Sequence, residues 1–128
     1  MRYAYKVKQN VKFNVDVEDI FLNIETAIPC GLIINELVSN SLKYAFLNQQ
    51  NGEISIKLLD DNGEFNLYID DNGSGLPENF DLKDVKNSLG LRLVNLLVEQ
   101  LEGTIELDNN NGTKFLIKFR ELEYKKRF

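Results

Sequence analysis

Two runs of alternating apolar and polar residues, 53–59 and 65–70, flank the triplet Asp61-Asn62-Gly63, and no other stretch constrains the fold as much. Alternation at period two marks strands with one buried face. An Asn-Gly pair readily takes the positive φ values that close a tight hairpin, so the two runs should pair antiparallel. The same logic predicts a final hairpin from 104–107 and 113–119 across Asn109-Asn-Asn-Gly112. Alternation recurs at Val11, Phe13, Val15 and Val17, and the short apolar run 20–24 reads as a second strand beside it. Over 28–46 the period changes. Ile34, Leu37, Val38, Leu42 and Ala45 form one stripe at about 100° per residue, which predicts the first core helix. Residues 76–89, with Pro77, Asn79, Asp81 and Lys83, hold no sustained period and read as a long loop. Ser88 is placed to cap a helix from Leu89 to about Leu101, and Gly103 to end it. The predicted architecture is a two-layer α/β sandwich, with a mixed, mostly antiparallel sheet and helices on one face.

Composition narrows what such a domain can do. The chain has 128 residues, enough for one core. No apolar run is long enough for a transmembrane helix or a signal-peptide core, so the chain is expected to face the cytoplasm without direct membrane contact. A net charge of −5 argues against nucleic-acid binding, and the basic Lys125-Lys126-Arg127 reads as a solvated end. There is one cysteine and no histidine, which excludes an internal disulfide and a soft-metal site. Cys30 lies in an apolar helical stretch and reads as a small buried hydrophobe.

Three separated segments carry chemistry. In Glu36-Leu-Val-Ser-Asn40-Ser-Leu-Lys43-Tyr44, helical spacing puts Glu36, Asn40 and Lys43 on one face, with Leu37, Val38, Ser41 and Ala45 opposite. A carboxylate, a neutral amide and an ammonium suit a metal-bound triphosphate, although mixed polar faces are ordinary on surface helices. The second segment, Asp70-Asp71-Asn72-Gly73-Ser74-Gly75, follows a strand. An aspartate there can accept a hydrogen bond from an exocyclic amine, and the glycines allow close backbone approach. It can also be an Asx turn. A calcium loop is the sharper rival, since Asp70, Asn72, Ser74, Gly75 and Asp81 match an EF-hand spacing. The strand-like residues before it oppose that reading. Third, Ser88-Leu-Gly90-Leu91 places a glycine at a helix start, where outward N–H groups and the helix dipole favour phosphate.

Together these segments resemble the N, G1 and G2 boxes of the ATP-binding domain of sensor histidine kinases, within the fold shared with gyrase, Hsp90 and MutL ATPases. The run from Leu32 through Asn35-Glu36, Asn40 and Lys43-Tyr44 to Phe46, with Ser88-Leu-Gly90-Leu and Val98-Glu-Gln-Leu-Glu-Gly103, is similar to the subgroup with the second type of dimerisation region. The resemblance covers about residues 11–119. It implies ATP and Mg²⁺ as ligands, with Asn40 holding the metal and Glu36 beside the γ-phosphate as candidate base. Lys43 would contact phosphate and Tyr44 the adenine ring. Asp71 would accept the adenine amino hydrogen, with Thr113 near an intervening water, and Gly73 and Gly75 would let the backbone close on the base. Leu76 to Leu89 would form a lid ending at Gly90 and Leu91, whose N–H groups meet phosphate. Two departures stand out: Ser88 replaces the first glycine common in that box, and the lid has no Phe-rich box. The implied partners are a histidine-bearing dimerisation domain of the same full-length protein and a response regulator. The implied oligomeric state is a monomeric fragment of a homodimeric whole. On this reading, 1–10 is a leading connector, 11–121 the ATP-binding domain and 122–128 a tail. The pocket alone also suits a non-catalytic nucleotide-binding regulatory module or a serine kinase of the anti-sigma-factor type.

Overall fold

A computed structural model describes residues 10–46, 51–74, 89–109 and 111–123. Among these, the elements run β1 (Asn10–Val17), α1 (Ile24–Asn40), β2 (Asn51–Asp61), β3 (Glu64–Asp71), α2 (Leu89–Gln100), β4 (Thr104–Asp108) and β5 (Thr113–Arg120). A five-residue π-helical turn, Ser41–Ala45, continues α1. The strands form one sheet in the order β1-β2-β3-β5-β4. β1 runs parallel to β2 and the other neighbours pair antiparallel. This is the expected mixed sheet with helices on one face.

Local chemistry accounts for the hairpins. Asn62 and Gly63 take φ values of 54° and 89°, and Asp60 accepts the Gly63 N–H at 2.8 Å. Two consecutive positive φ values give the turn whose twist matches that of paired strands. Asn111 and Gly112, at 56° and 98°, turn the chain into β5 in the same left-handed region.

One face of the sheet carries the core. β3 contributes Phe65, Leu67 and Ile69, and β5 contributes Phe115, Ile117 and Phe119, each inward residue alternating with a more exposed one. Against them lie Cys30, Ile33 and Leu37 of α1 and Leu91, Val94, Leu97 and Val98 of α2. Fully burying side chains of this size stabilises by about 1.5–3 kcal/mol each. Burial also pushes the Cys30 thiol up to about 11, so it stays protonated and behaves as the expected small hydrophobe. The inward row of β1 is left uncovered: Phe13, Val15 and Val17 remain about half exposed.

The run 20–24 is not a strand, and α1 begins earlier than its apolar stripe predicts. Asn23 caps the helix, its Oδ1 accepting from the Thr26 N–H at 3.0 Å and from the Thr26 hydroxyl at 2.6 Å. Thr26 Oγ1 in turn accepts the Leu122 N–H at 2.8 Å, and Asn23 Nδ2 donates to the Leu122 carbonyl. The cap is therefore locked by the chain leaving β5. Pro29 sits inside the helix and removes only one intrahelical donor.

At its other end α1 does not continue in α form to Phe46. The chain widens into the π turn at Ser41, because Phe46 is buried with its ring against Gly52 of β2 and the Ala45 carbonyl accepts the Ser74 N–H at 3.0 Å. α2 ends in a Schellman motif. Glu102, at φ 56°, is the left-handed residue; its N–H bonds the Glu99 carbonyl at 2.9 Å and the Gly103 N–H bonds the Val98 carbonyl at 3.0 Å. Gly103 thus serves for space rather than for φ, since a side chain there would run into the Lys118 carbonyl of β5. No helix among the described residues is long and apolar enough to cross a membrane. The expected loop lies outside the described residues apart from its last residue, Leu89, which begins α2.

Candidate functional site

The apolar rows of β3 and β5 both end in polar groups at the same edge of the sheet. Asp71 follows Phe65, Leu67 and Ile69 on the inward face, and its register partner Thr113 precedes Phe115, Ile117 and Phe119. Both are buried. A buried carboxylate requires hydrogen bonds, and Asp71 draws them from three elements. Its Oδ1 accepts the Gly73 N–H at 2.9 Å and, more weakly, the Thr113 N–H at 3.4 Å. Its Oδ2 accepts the Ser41 hydroxyl at 2.7 Å. The predicted Asp71, Gly73 and Thr113 are thus brought together, and Ser41 joins them.

Gly73 and Gly112 make this convergence possible. A side chain on Gly73 would strike the carbonyl and Cβ of Ala45, so the turn after β3 lies directly against the π turn. A side chain on Gly112 would strike the Asp71 carbonyl, which lets the chain entering β5 cross close over Asp71.

The second cluster forms where α2 begins. A Cβ on Gly90 would lie 2.8 Å from Glu36 Oε2 and 3.7 Å from both amide atoms of Asn40. Glu36, Asn40 and Gly90 are therefore neighbours across a distance of some fifty residues in sequence. The N-terminal end of a helix carries partial positive charge and outward N–H groups, so a carboxylate and an amide face an end suited to anions. Leu91 turns its side chain into the core and offers the site only its backbone. Ser41 follows Asn40 directly and links the two clusters.

Lys43 and Tyr44 lie on the π turn and are exposed, Tyr44 by 60%. The i→i+5 register of that turn departs from the α spacing, so their directions no longer follow from Glu36 and Asn40. Gly75, Leu76 and the side chain of Leu89 lie outside the described residues. Two residues escaped sequence reasoning. Alpha-helical spacing puts Ser41 on the face opposite Glu36 and the structure keeps it there, with α-helical torsions and its N–H on the Leu37 carbonyl, but no local signal marks Asp71 as the partner of its hydroxyl. Gly112 was read only as part of a hairpin turn, and no local signal shows its approach to Asp71.

Two members of the calcium-loop pattern, Gly75 and Asp81, lie outside the described residues. Asp70 and Asp71 are consecutive in β3 and point to opposite faces of the sheet. The Asn72 side chain already accepts the Glu53 N–H at 2.8 Å. Among the described residues, no group of three or more acidic or cysteine side chains is placed to hold a metal. Asp70 faces away from the core, and burial raises its pKa, with further upward push from Asp71 and opposing pull from Lys114 and Lys57. A cleft of about 670 Å³ opens at the other end of the sheet, lined by Glu25, Glu64, Glu102, Glu121 and the C-terminal end of α2. Glu64 and Asp71 are seven strand residues, about 23 Å, apart. The cleft's five carboxylates outnumber Lys118 and Arg120, which also line it, and with the negative helix end make it unsuited to a triphosphate.

The profile of the histidine kinase-, DNA gyrase B- and HSP90-like ATPases matches residues 25–123. The chain belongs to this family. It is 33% identical over 108 residues to Blue-light-activated histidine kinase 2 of Erythrobacter litoralis, covering 84% of this chain and 31% of that protein. It is 29% identical to the sensor histidine kinase YclK of Bacillus subtilis, covering 87% of this chain and 26% of that one. The chain thus spans about a third or less of the curated relatives it matches. Among solved structures, the histidine kinase domain of the Erythrobacter litoralis blue-light-activated kinase superposes with a TM-score of 0.80 at 27% identity, over 86% of this chain and 51% of that one. The Acinetobacter baumannii histidine kinase AdeS shares the fold, with a TM-score of 0.71 at 20% identity over 91% of this chain and 56% of that one. The matched profile covers Glu36, Asn40, Asp71, Gly90 and Thr113.

Proposed function

We propose that this chain is the ATP·Mg²⁺-binding catalytic domain of a sensor histidine kinase, with residues 11–121 as its ATP-binding unit, working on the cytoplasmic side where ATP is found. One observation carries the reading most. The buried Asp71 is tied through Ser41 to the helix whose Glu36 and Asn40 face the start of α2. A base acceptor and a phosphate-facing end thereby belong to one rigid frame.

In this reading Asp71 accepts the adenine amino hydrogen, with Thr113 beside it, while Gly73 allows the backbone to approach the base. The backbone N–H groups at Gly90 and Leu91 receive phosphate oxygens, and Lys43 offsets phosphate charge. Tyr44 lies against the adenine, and Gly75, Leu76 and Leu89 belong to the covering lid. The donor set beside Gly90 fits a hard cation, because Asn40 and Glu36 offer amide and carboxylate oxygens and no sulfur or imidazole. Asn40 would hold Mg²⁺, which when bound neutralises charge on the triphosphate. Phosphoryl transfer needs positioning and charge compensation more than covalent help. In this reading Glu36 would orient the attacking imidazole or take its proton.

With no histidine among its 128 residues, this chain cannot be its own phosphoacceptor. The acceptor would be a histidine on a dimerisation domain of the same, homodimeric, full-length protein. From there the phosphoryl group would pass to an aspartate of a response regulator. The test is direct. Calorimetric titration should show Mg·ATP binding, and radiolabelled ATP should label a histidine-bearing dimerisation domain supplied in trans. Nucleotide binding with no transfer to that domain would favour a regulatory module, and no binding at all would end the reading.

A further inference from the structure

The Ser41 hydroxyl makes an unusual choice. A serine at the end of a helix commonly bonds back to a carbonyl one turn earlier. Here the backbone N–H of Ser41 already reaches the Leu37 and Val38 carbonyls, and the hydroxyl instead crosses 30 residues of sequence to Asp71. Because an ionised carboxylate has no hydrogen to give, Ser41 must be the donor. Asp71 is thereby held at both oxygens, by backbone N–H groups on Oδ1 and by Ser41 on Oδ2. Its plane cannot turn without breaking one of these bonds.

We propose that Ser41 is a positioning residue that sets base selectivity: by fixing the Asp71 carboxylate, it creates a rigid, acceptor-only rim that admits 6-amino purines and rejects 6-oxo purines. The inference rests on the reading that Asp71 meets the base. Each atom of the pair turned to a ligand can only accept, since Ser41 has spent its single hydrogen on Asp71. A 6-amino purine brings a donor to that rim. A 6-oxo purine brings a carbonyl there, and its nearest donor, the N1–H, lies one ring position away. A free carboxylate can swing to that N1–H, as a carboxylate is well suited to do. An anchored one cannot. Selectivity therefore comes from immobilising Asp71 as much as from its charge.

The test compares ATP with inosine triphosphate by competitive displacement of a fluorescent ATP analogue from the purified chain. In Ser41→Ala the carboxylate is no longer held toward the 6-amino group, so the ligand's own hydrogen bond to that charged group is weakened and ATP should bind about tenfold more weakly. Inosine triphosphate should bind unchanged or more tightly, so the selectivity ratio falls at least about tenfold. Ser41→Thr keeps the hydroxyl and should restore the ratio. Ser41→Cys, close in size but a weak donor, should fall between and provides the comparison should Ser41→Ala not fold. A merely structural role would lower both affinities together. If the wild type binds ATP and Ser41→Ala or Ser41→Cys leaves the ratio unchanged, this inference is overturned while the nucleotide-binding reading stands. Failure of the wild type to bind any nucleotide overturns both.

Discussion

Asp71→Asn changes one atom of the site and should invert its chemistry while sparing its fold. Two of the three donors to Asp71 are backbone N–H groups, from Gly73 and Thr113, and these cannot become acceptors. The new amide must therefore keep its oxygen on the Oδ1 side and place its NH₂ on the Oδ2 side, opposite Ser41. The Ser41 hydroxyl can rotate to accept from that NH₂, so every buried group keeps a partner and the stability change should be small. Toward the ligand, an acceptor has become a donor. The adenine amine then loses a hydrogen bond to a charged group, worth about 1.5–3 kcal/mol, which is about 10- to 150-fold in affinity. The donor–donor contact adds to that loss. Inosine triphosphate, with an acceptor at the same position, should lose nothing and should gain. Calorimetry with ATP and with inosine triphosphate, beside thermal melts of both proteins, measures each part. A variant that melts like the wild type and binds ATP equally well would refute Asp71 as the base acceptor.

Three other perturbations separate stability from ligand binding. Asn40→Ala should reduce ATP affinity in Mg²⁺ to the level the wild type shows with the ion chelated, while leaving metal-free binding unaltered; a persistent Mg²⁺ dependence in the variant would remove Asn40 from the metal site. Thr26→Val removes the acceptor of the partly buried Leu122 N–H and the hydroxyl donor to Asn23 at the opposite end of the molecule, so the loss of two hydrogen bonds should lower stability by about 1–3 kcal/mol, roughly 4 °C in Tm per kcal/mol for this size; unchanged melting would show that the cap network contributes nothing, and ATP affinity should not move. Asp70→Asn tests pH linkage: burial raises this carboxyl above its ordinary 3.8, so the folded chain binds the proton more tightly than the unfolded one, and stability falls as pH rises through the folded value. The neutral amide should therefore raise Tm at pH 7 and give no gain below pH 3.8, and a destabilised variant at pH 7 would contradict the burial argument.

How legible this molecule is from its chain depends on whether the deciding interaction is local. Asn62-Gly63 and Asn111-Gly112 close their hairpins with torsions that belong to those residues alone, so the strand pairing could be read directly. The start of α1 was harder, because the apolar stripe becomes visible only after Pro29, whereas the helix is set by Asn23 and held by Leu122 from the far end of the chain. The candidate site divides along the same line. Glu36 and Asn40 share a face because both lie within regular α-helix, and their meeting with Gly90 follows from packing one helix start against that face. Alpha-helical spacing sets Ser41 on the side away from Glu36 and its torsions keep it there, but its bond to Asp71 could not be read, since that carboxylate lies 30 residues away on β3. The π turn that follows could not be read either, since it exists because Phe46 is buried against Gly52 and Ala45 is bonded to Ser74. A π turn carries no residue signature; it records a conflict between helical continuation and two distant contacts, resolved in favour of the contacts. That conflict is met beyond Ser41, after both the residue facing Gly90 and the residue bonded to Asp71 have been set in α register. One α-helical register thus serves both ends of the site: about 100° of rotation separates Asn40, which faces the start of α2, from Ser41, which faces the carboxylate.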